Sequence, residues 1–264
     1  MLTLVIRRNH GVLVAKVEPD ASIFVYSHST MKQKTMSSTK NKLKIEIWSD
    51  VVCPFCYIGK RKFEAALADF KHASDVEIIW KSYQLSPEMK AVPGKNIHQY
   101  LSEHKRISLT EATAMNNQVA DWAKNVGLQY NFDKAIPANT FMAHRFSHLA
   151  RVQGVQNEAE EKLFSAYFTE GKNVEDVDTL AEIGAEIGID AGLIKKTLEG
   201  DEFADAVRND IQEAYSLGLR GVPFFVFDRK YAVSGAQDSK VFLNTLEKAY
   251  ESWRNENPVF RIDI

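Results

Sequence analysis

Cysteine is scarce in this sequence, which contains two cysteines among 264 residues. Two thiols cannot build the disulfide framework that holds small secreted proteins together. A strong charge of one sign is also missing: the formal net charge is −2, so there is no electrostatic reason to expect binding to nucleic acid or to an anionic membrane. No apolar run approaches the roughly 18–20 residues that a membrane helix needs. The composition therefore predicts a soluble globular protein without a nucleic-acid or membrane partner.

The beginning of the chain lacks the pattern of a secretory signal, in which basic residues precede an apolar stretch and a cleavage site. Here the apolar run Leu2–Ile6 precedes Arg7 and Arg8. We therefore expect a cytoplasmic protein, in a compartment where structural disulfides are rare but catalytic ones are not. Residues 1–42 are expected to be an N-terminal extension, disordered or peripheral to the fold, because Met31–Lys42 contains no apolar residue other than two methionines.

Two stretches of strand character enclose one helical pattern after this extension. Leu43–Trp48 alternates in the manner of a strand with one wetter face, and Asp75–Tyr83 has the composition of a second strand. Between them, apolar residues recur at helical spacing from Pro54 to about residue 71. Residues 43–90 therefore predict a β-α-β unit with both cysteines at the start of its helix.

The rest of the chain divides into a helical region and a return to strand character. Residues 91–218 carry almost only helical patterns, whereas residues 219–255 read as an apolar hairpin followed by an amphipathic helix, and residues 256–264 as a tail. We therefore expect an α/β fold in which residues 43–90 and 219–255 form one domain and residues 91–218 are a helical insertion. The predicted helices of the insertion are Glu111–Val126 (apolar stripe Ala114, Val119, Trp122, Val126), Asn139–Val152, Asn157–Thr169, Asp176–Ile187, Leu193–Leu198 and Glu202–Leu217.

The spacing of the two cysteines is the main chemical signal in the sequence. A C-x-x-C arrangement of two scattered cysteines has a chance of about 1 in 130 in a chain of this length, and it indicates either half of a metal site or a redox dithiol. Cys53 is expected to start a helix, where unpaired backbone N–H groups and the helix dipole favour thiolate over thiol. Cys56 lies one turn further along, in a position to attack a mixed disulfide on Cys53.

A second signal is the proline in the apolar run Val222–Phe227. Because proline has no N–H to donate to a sheet, Pro223 marks either an edge strand or a special turn. The bond between Val222 and Pro223 is therefore either trans at an edge or cis. The C-P-x-C helix start earlier in the chain favours the cis form.

Several segments share the pattern of one known family: CPFC at Cys53–Cys56 after a strand, NTFMAHR at Asn139–Arg145, EKLFSAYF at Glu161–Phe168, GVPFFV at Gly221–Val226, and Gly235-Ala236-Gln237. Through them the chain resembles the cytoplasmic, FrnE-like branch of the DsbA thioredoxin family over roughly residues 43–253. The resemblance implies a thioredoxin-like fold with an inserted helical domain. It also implies protein thiol–disulfide oxidoreductase activity through Cys53 and Cys56.

The same resemblance implies roles for residues around the dithiol. Pro223 would be a cis-proline facing the thiols, Val222 would offer its backbone to an extended substrate, and Pro54 and Phe55 would be further substrate contacts. The implied partners are protein thiols and disulfides or glutathione, the latter as reductant or co-substrate, with no other cofactor. Two positions depart from related proteins: Phe55 stands where periplasmic DsbA proteins have histidine, and Ile47 stands where thioredoxins have a buried aspartate. Neither a strongly oxidising character nor the thioredoxin proton relay is therefore implied.

Two other chemical functions remain open at this stage. A zinc site would need two further ligands besides the cysteines, and His144 and His148 lie at i, i+4 spacing on a predicted helix. A glutathione-dependent isomerase or transferase of the 2-hydroxychromene-2-carboxylate isomerase or kappa type is the second alternative. Those proteins resemble this chain but typically carry serine where Cys53 stands, so the pair of cysteines favours redox chemistry.

A third alternative is a client-binding chaperone with an apolar surface around the dithiol, formed by Trp48, Phe55, Tyr57 and Phe224. Three polar residues nearby have a structural and a functional interpretation. Asp50 is expected to cap the helix or to be solvated, and the functional alternative is that it tunes the Cys53 site. Asn139 and His144 either cap and pack their helix or face the cleft of the active site.

Overall fold

The structure, a computed structural model, describes residues 5–9, 12–16, 41–92 and 94–257. Strands β1 (Val5–Asn9) and β2 (Val12–Lys16) pair antiparallel within a first unit, residues 1–40. This pairing is not among the predicted elements. The other expectations for the extension and for the C-terminal tail fall almost entirely outside the described residues.

A four-stranded sheet with the order β4-β3-β5-β6 organises the second unit, which begins at residue 41. Strand β3 (Leu43–Ser49) pairs parallel with β4 (Val76–Ser82) and antiparallel with β5 (Phe224–Phe227), and β5 pairs with β6 (Tyr231–Ser234). Segments from both ends of this unit thus share one sheet. The predicted α/β class and thioredoxin-like arrangement are confirmed.

The central strand is more deeply buried than its alternation predicted. Every residue of β3 except Lys44 is buried, including Glu46, whose carboxylate binds Arg229. The wetter face expected for this strand is therefore absent, because a strand between two others and covered by helices is buried on both faces.

Two helices of the thioredoxin-like half pack together on the sheet. Helix α1 (Pro54–Asp69) contacts α9 (Ser239–Glu256) through aromatic side chains. The ring of Phe63 lies 5.8 Å from that of Phe242 and 5.5 Å from that of Phe225 in β5. These contacts fix the orientation of α1, and therefore of its first residues, relative to the sheet.

Helices fill the chain between β4 and β5, and this helical insertion belongs to the same compact unit as the sheet. Helix α5 (Gln156–Ser165) covers the outer edge of β4: the Gln156 amide accepts from the backbone N–H of Trp80 at 3.1 Å and donates to its carbonyl at 3.0 Å, so the edge is not left open. None of the helices in the described part of the chain is long and apolar enough to cross a membrane. The helices of the insertion are α2 (Ile97–Lys105), α3 (Leu109–Lys124), α4 (Phe141–Val152), α5 (Gln156–Ser165), α6 (Val177–Glu186), α7 (Ala191–Glu199) and α8 (Ala204–Ser216).

Three details of the predicted helices are wrong. Helix α2 was not predicted, and the helix expected over Asn157–Thr169 ends as α5 at Ser165 and continues as a π-helical segment, Ala166–Glu170. The apolar stripe predicted for α3 is also incorrect, because Trp122 is 46% exposed. The buried residues of α3 are instead small or polar: Ala112, Asn116 and Ala123.

A cluster of charged residues joins α1 to α5. The buried Lys60 ammonium contacts Glu64 at 2.5 Å and Glu161 at 2.7 Å, and Arg61 and the Tyr57 hydroxyl also bind the Glu161 carboxylate. Burial alone would raise the pKa of Glu161. The hydrogen bonds from Arg61, Lys60 and Tyr57 outweigh that effect and lower its pKa to about 2.

Replacing Glu161 by Gln should lower the free energy of unfolding at pH 7 by about 1–3 kcal/mol, because the buried Lys60 loses a carboxylate partner. The pKa of Glu161 is lower in the folded protein than its ordinary value of 4.5, so the stabilisation is present above about pH 4.5 and is lost as the pH falls towards 2. Urea unfolding at a series of pH values should therefore show the two proteins converging over that range. Glu158→Gln, at an exposed position of the same helix, is the control. A difference as large at pH 3 as at pH 7 would contradict the assignment.

Candidate active site

Cys53 occupies the N-cap position of α1, and Pro54 is the first residue of the helix, as predicted. The N–H of Cys53 donates to the carbonyl of Asp50 at 2.9 Å, and its carbonyl accepts from the N–H of Cys56 at 3.0 Å. No side chain of the described residues caps this helix, so its first N–H groups and the positive end of its dipole act on the Cys53 sulfur. This environment stabilises a negative charge there.

Cys56 lies behind Cys53 and is inaccessible from solvent. Both thiols are free, and they are close enough to interact directly. Burial, and then the neighbouring Cys53 thiol, raises the pKa of Cys56 well above its ordinary value, whereas the Ser49 hydroxyl and the backbone of Asp50 act in the opposite direction. The two sulfurs therefore have different environments. The Cys56 thiol holds its proton more firmly than an ordinary cysteine thiol does.

The loop before β5 brings Val222 and Pro223 to the dithiol from 169 residues further along the chain. The Cys53 Sγ lies 3.5 Å from the carbonyl oxygen of Val222, and the Val222–Pro223 peptide bond is cis. Pro223 also packs against α1, where a Cβ added at Gly59 would lie 3.0 Å from its Cγ. Glycine at this helical position therefore permits the close approach of Pro223.

Two grooves flank the site. One, of about 480 Å³, runs beside Val222 and Pro223, and Arg220 and Ser234 are also on its wall. The other, of about 350 Å³, contains the exposed rings of Phe55 and Trp122, whose centroids are 5.9 Å apart. One groove thus adjoins the Val222–Pro223 loop that faces Cys53, and the other contains the exposed aromatic rings.

The apolar surface predicted around the dithiol is only partly present. Trp48 and Tyr57 are buried, so they cannot contact a client. Phe55 is 39% exposed and Phe224 is half-buried. Trp122 was expected in the core and instead supplies much of the exposed aromatic area.

Tyr130 belongs to the site although no sequence signal pointed to it. Its hydroxyl donates to the carbonyl of Pro54 at 2.7 Å, which fastens the helical insertion to the first turn of α1. Burial, followed by the proximity of Cys53, raises the pKa of Tyr130, so its hydroxyl stays protonated and remains a donor.

Asp50 neither caps α1 nor is solvated, so both structural expectations for it are wrong. Its side chain is fully buried, one carboxylate oxygen accepts from the N–H of Leu85 at 2.7 Å, and the other lies 3.5 Å from Nε2 of His144. The ring of His144 is buried with it and donates to the carbonyl of Tyr83 at 2.8 Å. Asn139 lies elsewhere: it accepts from the N–H of Phe141 at the start of α4.

The two cysteines and the two histidines of the zinc hypothesis, His144 and His148, are not brought together. Nε2 of His148 lies 3.0 Å from Asp210, and His144 faces Asp50, so the two imidazoles have different partners. Within residues 41–92 and 94–257, no group of three or more His, Cys, Asp or Glu side chains is arranged to hold a metal ion.

Comparison with known proteins places this geometry in a family context. The DSBA-like thioredoxin domain family matches residues 44–247. The probable DsbA oxidoreductase of Streptomyces coelicolor is 35% identical in sequence and similar in structure, with a TM-score of 0.74 over 84% of this chain and 94% of its own.

Two proteins of lower identity share the fold. The structure of 2-hydroxychromene-2-carboxylate isomerase has 14% identity and a TM-score of 0.56, covering 81% of this chain and 97% of its own. The cytosolic disulfide reductase DsbM of Pseudomonas aeruginosa, in its structure with GSH, has 14% identity and a TM-score of 0.53, covering 82% of this chain and 100% of its own.

In the reduced protein at pH 7, Cys53 should react with iodoacetamide at least about tenfold faster than Cys56, because thiolate is the reactive species and Cys56 is fully buried with a raised pKa. Mass spectrometry of the alkylated peptides at successive times gives both rates. In urea the two thiols should react at similar rates, which serves as the control. Faster labelling of Cys56 in the folded protein would reverse the assignment of the two sulfurs.

Proposed function

Because the chain belongs to the DSBA-like thioredoxin domain family, we propose that it is a thiol–disulfide oxidoreductase whose redox pair is Cys53 and Cys56. One observation carries the proposal: a thiol at an uncapped helix N-terminus faces the Val222–Pro223 loop, with a second thiol buried directly behind it. The helix N-terminus favours a nucleophilic thiolate at Cys53. The buried Cys56 thiol can react once a substrate is joined to Cys53 in a mixed disulfide.

The reaction that follows from this arrangement has two exchanges. The Cys53 thiolate attacks a substrate disulfide, a bond forms between Cys53 and one substrate sulfur, and the other substrate sulfur leaves as a thiolate. Cys56 then loses its proton and attacks the Cys53 sulfur, so the Cys53–Cys56 bond forms and the remaining substrate sulfur leaves with its electron pair. Two electrons thus pass from the protein dithiol to the substrate disulfide, and the reverse sequence oxidises a substrate dithiol.

The substrate is proposed to bind in extended form along the Val222–Pro223 loop. The Val222 carbonyl is 3.5 Å from the Cys53 sulfur, so a segment that pairs with the backbone at Val222 would present its own sulfur to Cys53. Pro54 and Phe55, which follow Cys53 at the start of α1, are the further proposed substrate contacts, and the exposed Phe55 ring can contact an apolar residue beside the substrate cysteine. In this binding mode the protein recognises the substrate mainly through its backbone and less through its side chains, so many different client proteins could bind.

Glutathione is the proposed thiol partner that returns the protein to its dithiol form. We expect one of its carboxylates to bind Arg220, which lines the groove beside Val222. The structure of DsbM with GSH, a protein of the same fold, supports the choice. With glutathione as the partner, the proposed compartment is a reducing one, such as the cytoplasm.

The isomerase alternative shares the fold but not the need for a second thiol. An enzyme that activates bound glutathione uses one polar group beside the glutathione sulfur. Cys56, fully buried behind Cys53, would have no part in such a reaction, whereas disulfide exchange requires it. A chaperone role based on Phe55 and Trp122 is compatible with redox chemistry but gives no reason for the dithiol.

Replacing Cys56 by Ser should trap the first intermediate, because no thiol remains to displace the substrate from Cys53. Incubated with glutathione disulfide, Cys56→Ser should accumulate a glutathione adduct visible by intact-mass spectrometry. Cys53→Ser should form none, and the wild type should show the adduct only transiently.

The matched controls are thermal unfolding of both variants and an assay for glutathione-dependent isomerisation of an enone. An adduct on Cys56 in the Cys53→Ser variant would refute the proposed division of labour. A wild type that leaves protein and glutathione disulfides unreduced, yet isomerises the enone, would establish the isomerase instead.

A further inference from the structure

The hydroxyl of Tyr130 is bonded to the peptide group that lies next to Cys53 in the first turn of α1. Tyr130 belongs to the segment between α3 and α4, and its hydroxyl donates to the carbonyl of Pro54 at 2.7 Å. That carbonyl and the N–H of Phe55 form one planar peptide group, whose two ends point in opposite directions along the helix. A donor on the carbonyl therefore polarises the N–H at the other end and makes it a stronger donor.

The N–H of Phe55 is the one that the first three residues of α1 leave for the Cys53 sulfur. Pro54 has no N–H, and the N–H of Cys56 donates to the carbonyl of Cys53 at 3.0 Å. Within residues 41–92 and 94–257, no backbone carbonyl accepts from the N–H of Phe55. This N–H is at the second helical position, one of the two that the side chain of an N-cap residue can accept from, and the N-cap residue is Cys53.

The Cys53 sulfur needs this N–H most when it has lost its proton. As a thiol, the sulfur can donate to the carbonyl oxygen of Val222, which lies 3.5 Å away. As a thiolate it has nothing to donate, and the same oxygen then faces it as a partial negative charge. A polarised N–H of Phe55 offsets that repulsion, because hydrogen bonds to charged acceptors are stronger than those between neutral groups. The bond from Tyr130 therefore stabilises the thiolate more than the thiol.

Tyr130 is held in place by the π-helical segment Ala166–Glu170. The N–H of Asn131 donates to the carbonyl of Phe168 at 2.6 Å, and the Thr169 hydroxyl donates at 2.8 Å to the carbonyl of the residue before Tyr130. The ring of Tyr130 also lies 4.5 Å from that of Phe168. These contacts fix the backbone on both sides of Tyr130 and its ring, so its hydroxyl reaches α1 already oriented.

We propose that Tyr130 is a positioning residue for the first exchange, and that it favours the Cys53 thiolate through the Pro54–Phe55 peptide group. The inference rests on the proposed oxidoreductase function, because the thiolate that it favours is the one that attacks the substrate disulfide. Tyr130 touches no substrate and transfers no proton. It acts only by holding and polarising the peptide group beside the sulfur.

The hydroxyl of Tyr130 keeps its proton over the pH range in which Cys53 reacts. Burial, and then the proximity of Cys53, raises the pKa of Tyr130, and burial likewise raises the pKa of Tyr57 beside it. Arg61 is charged throughout. The titratable groups that act on Tyr130 are Cys53, Cys56, Tyr57 and Arg61, and its other contacts are the uncharged rings of Phe132 and Phe168.

Tyr130→Phe removes the hydroxyl and keeps the ring, so it tests the hydrogen bond alone. Alkylation of Cys53 by iodoacetamide is followed by mass spectrometry from about pH 4 to about pH 9. Cooperative strengthening by about 10–30% of a bond to a charged group corresponds to about a threefold change in the thiolate equilibrium. The pH–rate profile of the variant should therefore move by about half a unit to higher pH. Its rate should be about twofold lower on the acidic side and no lower on the plateau, because a less stabilised thiolate is the stronger nucleophile.

A second readout is the equilibrium with glutathione. Thiolate formation stabilises the reduced protein relative to its disulfide. In Tyr130→Phe the ratio of disulfide to dithiol, measured in glutathione buffers at pH 7, should therefore rise by up to about threefold.

Tyr250→Phe is the matched control. The Tyr250 hydroxyl donates to Asp75 at 2.9 Å, between α9 and the residues just before β4, so this variant also loses one hydrogen bond from a partly buried hydroxyl. It should lower the melting temperature about as much as Tyr130→Phe does and leave the alkylation profile unchanged. Placing 3-fluorotyrosine at position 130 makes the opposite change, because fluorine strengthens the phenol as a donor. That protein should show a profile moved to lower pH.

Coincident profiles for the wild type and Tyr130→Phe would give Tyr130 a structural role only and overturn the proposal. A rate lowered equally at every pH would also overturn it, because access to Cys53 and not thiolate formation would have changed. If Tyr130→Phe does not fold, the direction of the shift in the fluorotyrosine protein decides. The oxidoreductase function is tested separately by the glutathione adduct on Cys53. If the wild type forms none, that function fails, whereas the alkylation profiles still decide whether Tyr130 favours the thiolate.

Discussion

The hydrogen bonding of β3 on both of its edges is the constraint from which the rest of the site follows. Its parallel pairing with β4 requires a crossover, which α1 supplies, so the chain that leaves β3 must turn at once into that helix. Its antiparallel pairing with β5 sets Trp48 opposite Phe224. Pro223, one residue before β5 begins, therefore lies at the same end of the sheet as the start of α1, and Cys53 meets Val222 there.

The helical insertion does more than extend the chain between β4 and β5, because it contacts the dithiol region at several points. Tyr130 binds the first turn of α1 through the carbonyl of Pro54. Glu161 binds Lys60 one turn beyond Cys56, and His144 approaches Asp50 just before Cys53. The thioredoxin-like half thus supplies both sulfurs, whereas the insertion supplies the neighbours that hold the segments before and after them. Substitutions in the insertion can therefore shift the segments that carry the two thiols without changing a thiol itself.

Local patterns in the sequence were enough to predict the strands of the sheet and the helix start at Cys53, which depend on backbone geometry that neighbouring residues dictate, such as a proline in a first helical turn. The approach of Pro223 to the thiols was implied by the family resemblance and not by a local pattern. The burial of Asp50 could not be predicted, since an aspartate before a helix normally caps it and this one is held by Leu85 and His144. Helical periodicity also predicted the wrong buried face for α3, because that face was chosen from the positions of the large apolar residues. The helix buries Asn116 instead, whose amide binds His98 at 3.0 Å.

Helix α1 lacks a side-chain cap at the position of the first thiol. Helices α2, α3, α6, α7 and α9 begin with an Asn, Ser or Asp side chain that caps the backbone, whereas α1 begins with Cys53 and, like α4, α5 and α8, has no side-chain cap. A missing cap costs about 1 kcal/mol. The missing cap has a consequence for the first thiol: it leaves the first N–H groups of α1 available to the Cys53 sulfur. A side-chain cap would give a more stable helix, but Cys53 would lose the N–H groups that favour its thiolate.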